Sequence, residues 1–264
     1  METGDSGGGY DPQFFEALAK AEDRHFWFRS RNLLISDLAR SVTAGFPEGH
    51  RVLEVGFGTG NVLRFLKRAC SRGSVFGMEL WSAGIRFARA RDLDLLVQGD
   101  LRQAPFPPVF DVVGMFDVLE HIPDDAGTLQ AMRNLLAPGG RLMVTVPAHQ
   151  ALWSYFDVAA HHCRRYSPGG LKQVLSSAGY EVEYLSQFMA ILFPLLLFVR
   201  KVAHRRGRAG SDLQRAQEEF RIIPLANEIL GGVLWLERVW LRLGGKLPFG
   251  TSIIAVARKS DSHN

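Results

Sequence analysis

Apolar positions along the chain change their period several times, and each change marks an element. From Pro12 to Phe28 the residues Phe14, Phe15, Leu18 and Ala21 fall at helical spacing, and a second amphipathic stretch runs from Asn32 to Val42. Pro47-Glu48-Gly49 then breaks the chain. Short, almost continuous apolar runs follow at 52–55, 74–78, 93–98, 110–116 and 141–146, with helical stretches between them. Strands buried on both faces read this way, so the pattern predicts βαβ units: an α/β fold with a parallel sheet and helices on both faces. Leu171 to Ala178 reads as a helix stopped by Gly179, Tyr180 to Gln187 as another strand, and Gly250 to Arg258 as the last.

The first strand carries the most informative residues. Val52-Leu53-Glu54-Val55 runs into Gly56-Phe57-Gly58-Thr59-Gly60-Asn61, where alternate glycines force a tight turn into a helix starting near Asn61. Glycine serves there because it accepts dihedrals that other residues resist and lets a ligand lie against the backbone. A dinucleotide fingerprint, G-x-G-x-x-G, would need its third glycine at position 61, which is asparagine. Glu54, just before the turn, would repel a pyrophosphate and attract an ammonium group. The pocket therefore suits a ligand with a cationic head and no phosphate.

Ligands on such sheets bind at the carboxyl ends of the strands, and Glu54, Glu79, Asp100 and Asp117 all lie at or near those ends. Glu79, after the second strand, is placed to bind ribose hydroxyls, or else is a surface acid. Asp100 either accepts from an adenine amino group or caps the helix beyond it. Asp111 ties down a turn. The glycine loop, Glu79, Gly99-Asp100, Leu119-Glu120-His121 and Leu136-Ala137-Pro138-Gly139-Gly140, in that order, resemble the class I S-adenosylmethionine-dependent methyltransferases over roughly residues 45–187. The resemblance implies a Rossmann-like seven-stranded sheet whose last strand pairs antiparallel with the one before it. It also implies S-adenosylmethionine as cofactor, held by Glu54, Gly56, Gly58, Gly60, Glu79, Leu80, Asp100, Leu101, Phe116 and Asp117. A nicotinamide dehydrogenase is opposed by Asn61, and a nucleotide-fold protein without turnover is opposed by the intact loop and acids.

The acceptor half should follow the fifth strand. Residues 147–166 bring together His149, His161, His162, Asp157, Arg164, Arg165 and several aromatics. Similar segments occur in bacterial methyltransferases of the type 11/12 group, where glycine stands in place of His161. A substrate loop is the expectation, with His149 or His162 as base, arginines as an anion clamp and aromatic walls. His121 either caps its loop or faces the transfer centre. No metal is expected, because the adjacent His161 and His162 point apart on any regular element. Nucleic acid is not expected either, since two arginines without a lysine cluster make a poor phosphate track. Arg24 to Arg31 resembles that group's N-terminal element, which either closes over the cofactor or anchors a helix.

Residues 188–249 depart from the minimal pattern. Phe188 to Val199 is apolar but too short to span a bilayer and is interrupted by Pro194. Arg200, Lys201, Arg205, Arg206 and Arg208 follow, then a polar stretch expected to be mobile, then apolar positions at Ile229, Val233, Leu236, Trp240 and Leu243. The segment is a pocket cap, a homodimer surface or a peripheral membrane contact, and the acceptor is expected to be a small molecule, glycan or lipid-linked compound. Residues 1–11 read as a disordered tail, 12–187 as N-terminal helices plus core, and 250–264 as last strand and tail. The net charge of +4 is too mild to imply a polyanionic partner, and two cysteines make no disulfide framework. A cytoplasmic setting is the expectation, with the inner membrane face as the alternative.

Overall fold

Alternation along the central strands decides where the helices lie. The computed structural model describes residues 14–206 and 221–260. In chain order these form α1 (Phe14–Ala21), α2 (Phe26–Thr43), β1 (Arg51–Val55), α3 (Asn61–Ala69), β2 (Ser74–Glu79), α4 (Ser82–Arg89) and β3 (Leu96–Gln98). Next come β4 (Phe110–Phe116), α5 (Asp125–Leu135), β5 (Leu136–Pro147), α6 (Tyr155–Ala159), α7 (Pro168–Ser177) and β6 (Tyr180–Phe188). Helices α8 (Leu192–Arg206) and α9 (Pro224–Arg242) precede β7 (Ser252–Lys259).

Side chains of successive strand residues point to opposite faces, and the two cores divide accordingly. Leu53, Val55, Val113, Met115, Leu142, Val144, Ile253 and Ala255 meet Leu129 and Met132 of α5 and Leu171 and Leu175 of α7. Their neighbours Val52, Val112, Phe116, Met143, Ile254 and Val256 meet Leu34 and Ile35 of α2, Val62 and Leu66 of α3, Leu192 of α8 and Leu234 of α9. Fully burying one such side chain contributes about 1.5–3 kcal/mol, so both faces must be covered.

The sheet has seven strands in the order β3-β2-β1-β4-β5-β7-β6. The first five are parallel, while β7 runs antiparallel to β6, as the resemblance implies, and also to β5. Strand order reverses between β1 and β4, which puts a crevice at their carboxyl ends.

Several boundaries differ from the sequence reading. The helical pattern at 12–28 divides after Ala21, because Glu22, Asp23 and Arg24 turn away and the His25 side chain caps α2 by accepting from the Trp27 N–H. The third strand keeps only 96–98, because Leu93 packs with Phe57, Leu63 and Ala88 instead of pairing in the sheet. The Leu-Ala-Pro-Gly-Gly segment opens β5 itself, with Leu136 beside Phe110 and a register shift that absorbs Gly139. The last strand starts two residues later than expected, at Ser252, and ends at Lys259. Pro194 does not interrupt α8: it sits in the first turn, where a proline sacrifices no intrahelical hydrogen bond. The expected tail at 1–11 and mobile stretch after Arg208 lie outside the described residues.

Candidate active site

The loop from β1 to α3 is held in a left-handed backbone that only glycine adopts cheaply. Gly56, Gly58 and Gly60 have φ of 68°, 58° and 77°. A Cβ on Gly60 would come within 2.9 Å of Ala88 and Leu93, and one on Gly56 within 2.7 Å of Val118. Tight packing beneath the loop thus adds a steric reason to the conformational one.

Three acids surround this loop. Glu54 is 2% exposed, and its Oε2 meets no hydrogen-bond partner in the protein. Burial pushes its pKa well up, Arg31 opposes the shift, and Glu79 and Glu22 add to it. A buried carboxylate oxygen without a partner is costly unless something cationic or protic completes it. Glu79 accepts from the Gly58 N–H at 2.8 Å and the Trp81 N–H at 3.1 Å, while burial raises its pKa. Asp117, at φ 55°, receives Thr145 Oγ1 at 3.1 Å and an ion pair from Arg31.

The remaining predicted cofactor positions divide. Asp100 caps the short turn 101–103 through the Arg102 N–H at 2.9 Å and pairs with the Arg102 guanidinium, whose hydrogen bond lowers its pKa. The cap is therefore present, and it does not decide the adenine alternative. Leu80 is exposed and Leu101 half-buried beside the same edge. Phe116 points its ring into the α2–α3 core, which leaves only its backbone at the crevice. Asp111 accepts from the Arg51 N–H at 2.7 Å, tying β4 to the start of β1.

Sequence reasoning missed the polar lid over the loop. Glu22 bonds Thr59, and Arg91 reaches Glu22 at 2.5 Å, Asp23 at 3.2 Å and the Thr59 carbonyl at 3.2 Å. Asp23 also takes Asn61 at 2.9 Å and Arg64 at 2.6 Å, while Asn32 donates to Asn61. The N-terminal helices therefore clamp the glycine loop, and Arg31 reaches across to Asp117. The one hint in the sequence was the charged run Glu22-Asp23-Arg24, which interrupts the apolar spacing.

The loop after β5 folds back on the turn after β4. Asp157 is completely buried and accepts from His162 Nδ1 at 2.9 Å, Arg165 Nε at 2.7 Å and the Ser154 N–H at 2.8 Å. Burial alone would raise its pKa, but the His162 hydrogen bond and the Arg165 charge bring it to about 2. Arg164 binds Asp125 at 2.6 Å and the Pro123 carbonyl, and Tyr166 donates to Asp125 at 2.9 Å. Both arginines predicted as an anion clamp are thus engaged in fastening the loop. His161, at φ 55°, occupies the left-handed position where the similar loops have glycine, and it is exposed.

The three candidate histidines separate into two places. His121 and His162 meet edge to face with ring centroids 4.7 Å apart, beside Glu120. Burial and the neighbouring His162 lower the His121 pKa to about 3, so its ring is neutral. His149, at φ 58°, lies on the other side, its ring 5.1 Å from Phe193 of α8 and its Nε2 bonded to Gln187 Oε1. The adjacency argument against a metal holds for His161 with His162, but the neighbour of His162 is His121, 41 residues earlier in the chain.

Comparison with known proteins agrees with this geometry. Residues 24–185, more than half of the chain, match the model of the family described as "Methyltransferase domain", and the match takes in the N-terminal element from Arg24 onward. The chain belongs to this family, within the class I S-adenosylmethionine-dependent methyltransferases. A Mycolicibacterium smegmatis protein named as a probable S-adenosylmethionine-dependent methyltransferase is 29% identical over 61% of this chain and 62% of its own length. A ubiquinone biosynthesis O-methyltransferase of Xylella fastidiosa is 35% identical over 47% of this chain and 53% of its own. The chain thus spans between half and two thirds of the curated relatives it matches. Among solved structures, the 4+2 cyclase SpnF shares the fold with a TM-score of 0.61 at 17% identity, covering 97% of this chain and all of its own. Its title names a different reaction, so the fold alone does not choose the chemistry.

Proposed function

We propose that the protein transfers a methyl group from S-adenosylmethionine to a hydroxyl of a small acceptor with an apolar body. The observation that carries the donor half is the buried Glu54 oxygen without a partner, set under a glycine loop whose other side is Glu79. Glu54 would complete its hydrogen bonding with the ammonium group of the methionine moiety, and Glu79 would bind the ribose hydroxyls. Asp117 and Asp100 would flank the sites of transfer and of adenine. When bound, the donor supplies a methyl on a positively charged sulfur, already activated for displacement. The protein's own contribution is alignment, exclusion of water by the α1–α2 lid and removal of the acceptor proton.

His149 is the proposed base. Gln187 donates through Nε2 to the Pro248 carbonyl at 2.5 Å, which turns its Oε1 toward His149. His149 Nε2 therefore carries the proton, and Nδ1 keeps the lone pair that would take the acceptor's. Phe193 and Phe249, with ring centroids 6.1 Å apart, continue the wall beside it and suit an apolar acceptor. O-Methyltransferases of ubiquinone biosynthesis among the relatives support the same acceptor class.

The insertion favours work at a membrane surface. Leu225, Ile229, Leu236, Trp240 and Leu243 form an exposed row along α9, and Phe198 of α8 is exposed as well. Exposed Arg242 and Lys246 flank this row. Such a helix would lie in the interface. Among the described residues no helix is long and apolar enough to cross a membrane. Arg200, which a membrane contact would turn toward lipid, instead turns inward and donates to the Leu152 carbonyl.

The deciding experiment is calorimetric titration with S-adenosylmethionine and with NAD, followed by labelled-methyl transfer to phenols and lipid extracts. Donor binding with transfer to a phenolic hydroxyl is expected. Binding without transfer to any acceptor would leave a nucleotide-fold binding protein, and preference for NAD would overturn the assignment.

A further inference from the structure

The turn after β4 and the loop after β5 bring together a donor set that methyl transfer does not require. Glu120, His121 and His162 each point one ligand atom into the same space, and these atoms lie within 4.8 Å of one another. Glu120 is 1% exposed, and its Oε2 meets no hydrogen-bond partner in the protein. Two imidazoles and a carboxylate are the donor types that zinc and similar divalent transition ions take, with an open fourth position.

The surroundings are those of a supported ligand set. Asp157 Oδ1 accepts from His162 Nδ1, which fixes the tautomer and leaves the Nε2 lone pair for coordination. A carboxylate behind a ligating histidine in this way orients the ring and raises its basicity. Arg165 Nε donates to the same Asp157 oxygen at 2.7 Å, so the carboxylate behind His162 is itself paired. The backbone holds the two segments in register: the Cys163 N–H donates to the Glu120 carbonyl at 2.7 Å, and the Cys163 thiol meets the His121 carbonyl at 3.5 Å.

We propose that Glu120, His121 and His162 bind one divalent transition-metal ion of the zinc class. Tetrahedral coordination at about 2.0–2.1 Å per bond needs only small rotations to draw the three atoms together. The ion pins the loop after β5 to the turn after β4, beside the carboxyl end of the sheet. The inference stands apart from methyl transfer, since the cluster could bind metal whether or not the protein turns over.

The test is metal content and spectroscopy. Full-length protein is loaded with zinc, dialysed and measured by mass spectrometry for bound metal, and the apo form is titrated with cobalt(II). One equivalent of zinc and a visible tetrahedral cobalt band are expected. Glu120→Gln and His162→Gln should each lose the band, and Asp157→Asn should weaken zinc binding by about 10- to 100-fold. His161→Asn, at the exposed neighbouring position, should keep both. Circular dichroism separates lost ligation from lost folding: a folded His162→Gln that still binds one zinc overturns the proposal, as does a wild-type protein that dialyses free of metal. Equal loss in His161→Asn overturns it as well. Calorimetry with S-adenosylmethionine on the same samples keeps the functional proposal distinguishable, because donor binding is expected in all four variants.

Discussion

The crevice has two walls built in opposite ways. The proposed donor wall consists of strand ends and a glycine loop: Glu54 lies on β1 just before the loop, and Glu79, at the end of β2, accepts from the loop's Gly58 N–H and from the Trp81 N–H two residues on. The proposed acceptor wall is a long loop whose buried Asp157 is satisfied by residues five and eight positions away, then fastened to a turn some 40 residues earlier. Local backbone geometry makes the first wall, and a charged network between segments makes the second. Substitutions should therefore act on ligand affinity at the donor wall and on stability at the acceptor wall.

The largest expected effect lies in the network. Asp157→Ala strips Arg165 and His162 of their shared buried partner, and breaking a buried pair in this way costs about 3–5 kcal/mol. Chemical denaturation should show that loss. S-adenosylmethionine affinity measured below the transition should stay near wild type. A destabilisation under about 1 kcal/mol would mean that the loop is held by apolar contacts and that the comparison fails on this side.

Glu79→Ala tests the other wall. Loss of hydrogen bonds to a charged group should weaken donor binding by about 1.5–3 kcal/mol in calorimetry. Because Glu79 also holds the Gly58 and Trp81 N–H groups, a stability loss of about 1–2 kcal/mol should accompany it. Strand pattern and spacing do not reveal which backbone amides a carboxylate meets, so this stability loss is visible only in the fold. Unaltered affinity would remove Glu79 from the site.

The same contrast explains what could be read from the chain. Strand runs, the glycine loop and the acids at strand ends are local patterns, so the α/β fold and the gathering of Glu54, Glu79 and Asp117 around the loop were legible. The Glu22–Arg91–Thr59 lid, the fastening of Arg164 and Arg165, and the meeting of His121 with His162 join segments tens of residues apart. No spacing rule encodes those contacts. The adjacency of His161 and His162 says nothing of His121, the ring that His162 actually meets. Pro194 was read as a breaker, and a lipid-facing Arg200 belonged to one of three alternatives for the segment; their real positions depend on where α8 starts and on which of its faces meets Leu152.

Glu54 gives a pH dependence with a definite sign. Its folded pKa is raised by burial, with Arg31 opposing and Glu79 and Glu22 reinforcing. The ligand-free protein therefore holds a proton there above the ordinary glutamate range. The stability it contributes is fully present below the unfolded value of about 4.3 and is lost as pH rises through the folded pKa. Binding a cationic ammonium requires the ionised form, so donor affinity should rise with pH across that window. Titrations in buffers of different ionisation enthalpy should report net proton release on binding. Proton uptake, or none, would place the ammonium elsewhere.

The smallest effect on stability is expected on the outer face of α9, which the two walls do not use. Its inner face is fixed by Leu234 and Leu241, by the Arg238–Asp37 pair at 2.6 Å and by Asn227, which accepts from the Phe26 N–H at 2.8 Å. Leu243 on the outer face is 78% exposed, and Leu236 is 63% exposed. Replacing both with Ser should change folding stability by no more than about 0.5 kcal/mol each, as for surface positions generally. Flotation with anionic vesicles should nevertheless fall, because the apolar row is what enters the interface and each nearby basic residue adds only about 1 kcal/mol. High salt should release part of the wild-type protein, since screening weakens the electrostatic share and leaves the apolar share. If the double variant floats as well as wild type, lipid does not contact this row. If wild type never floats but sediments as a dimer that the variant cannot form, the row is a protein interface and the membrane reading is lost.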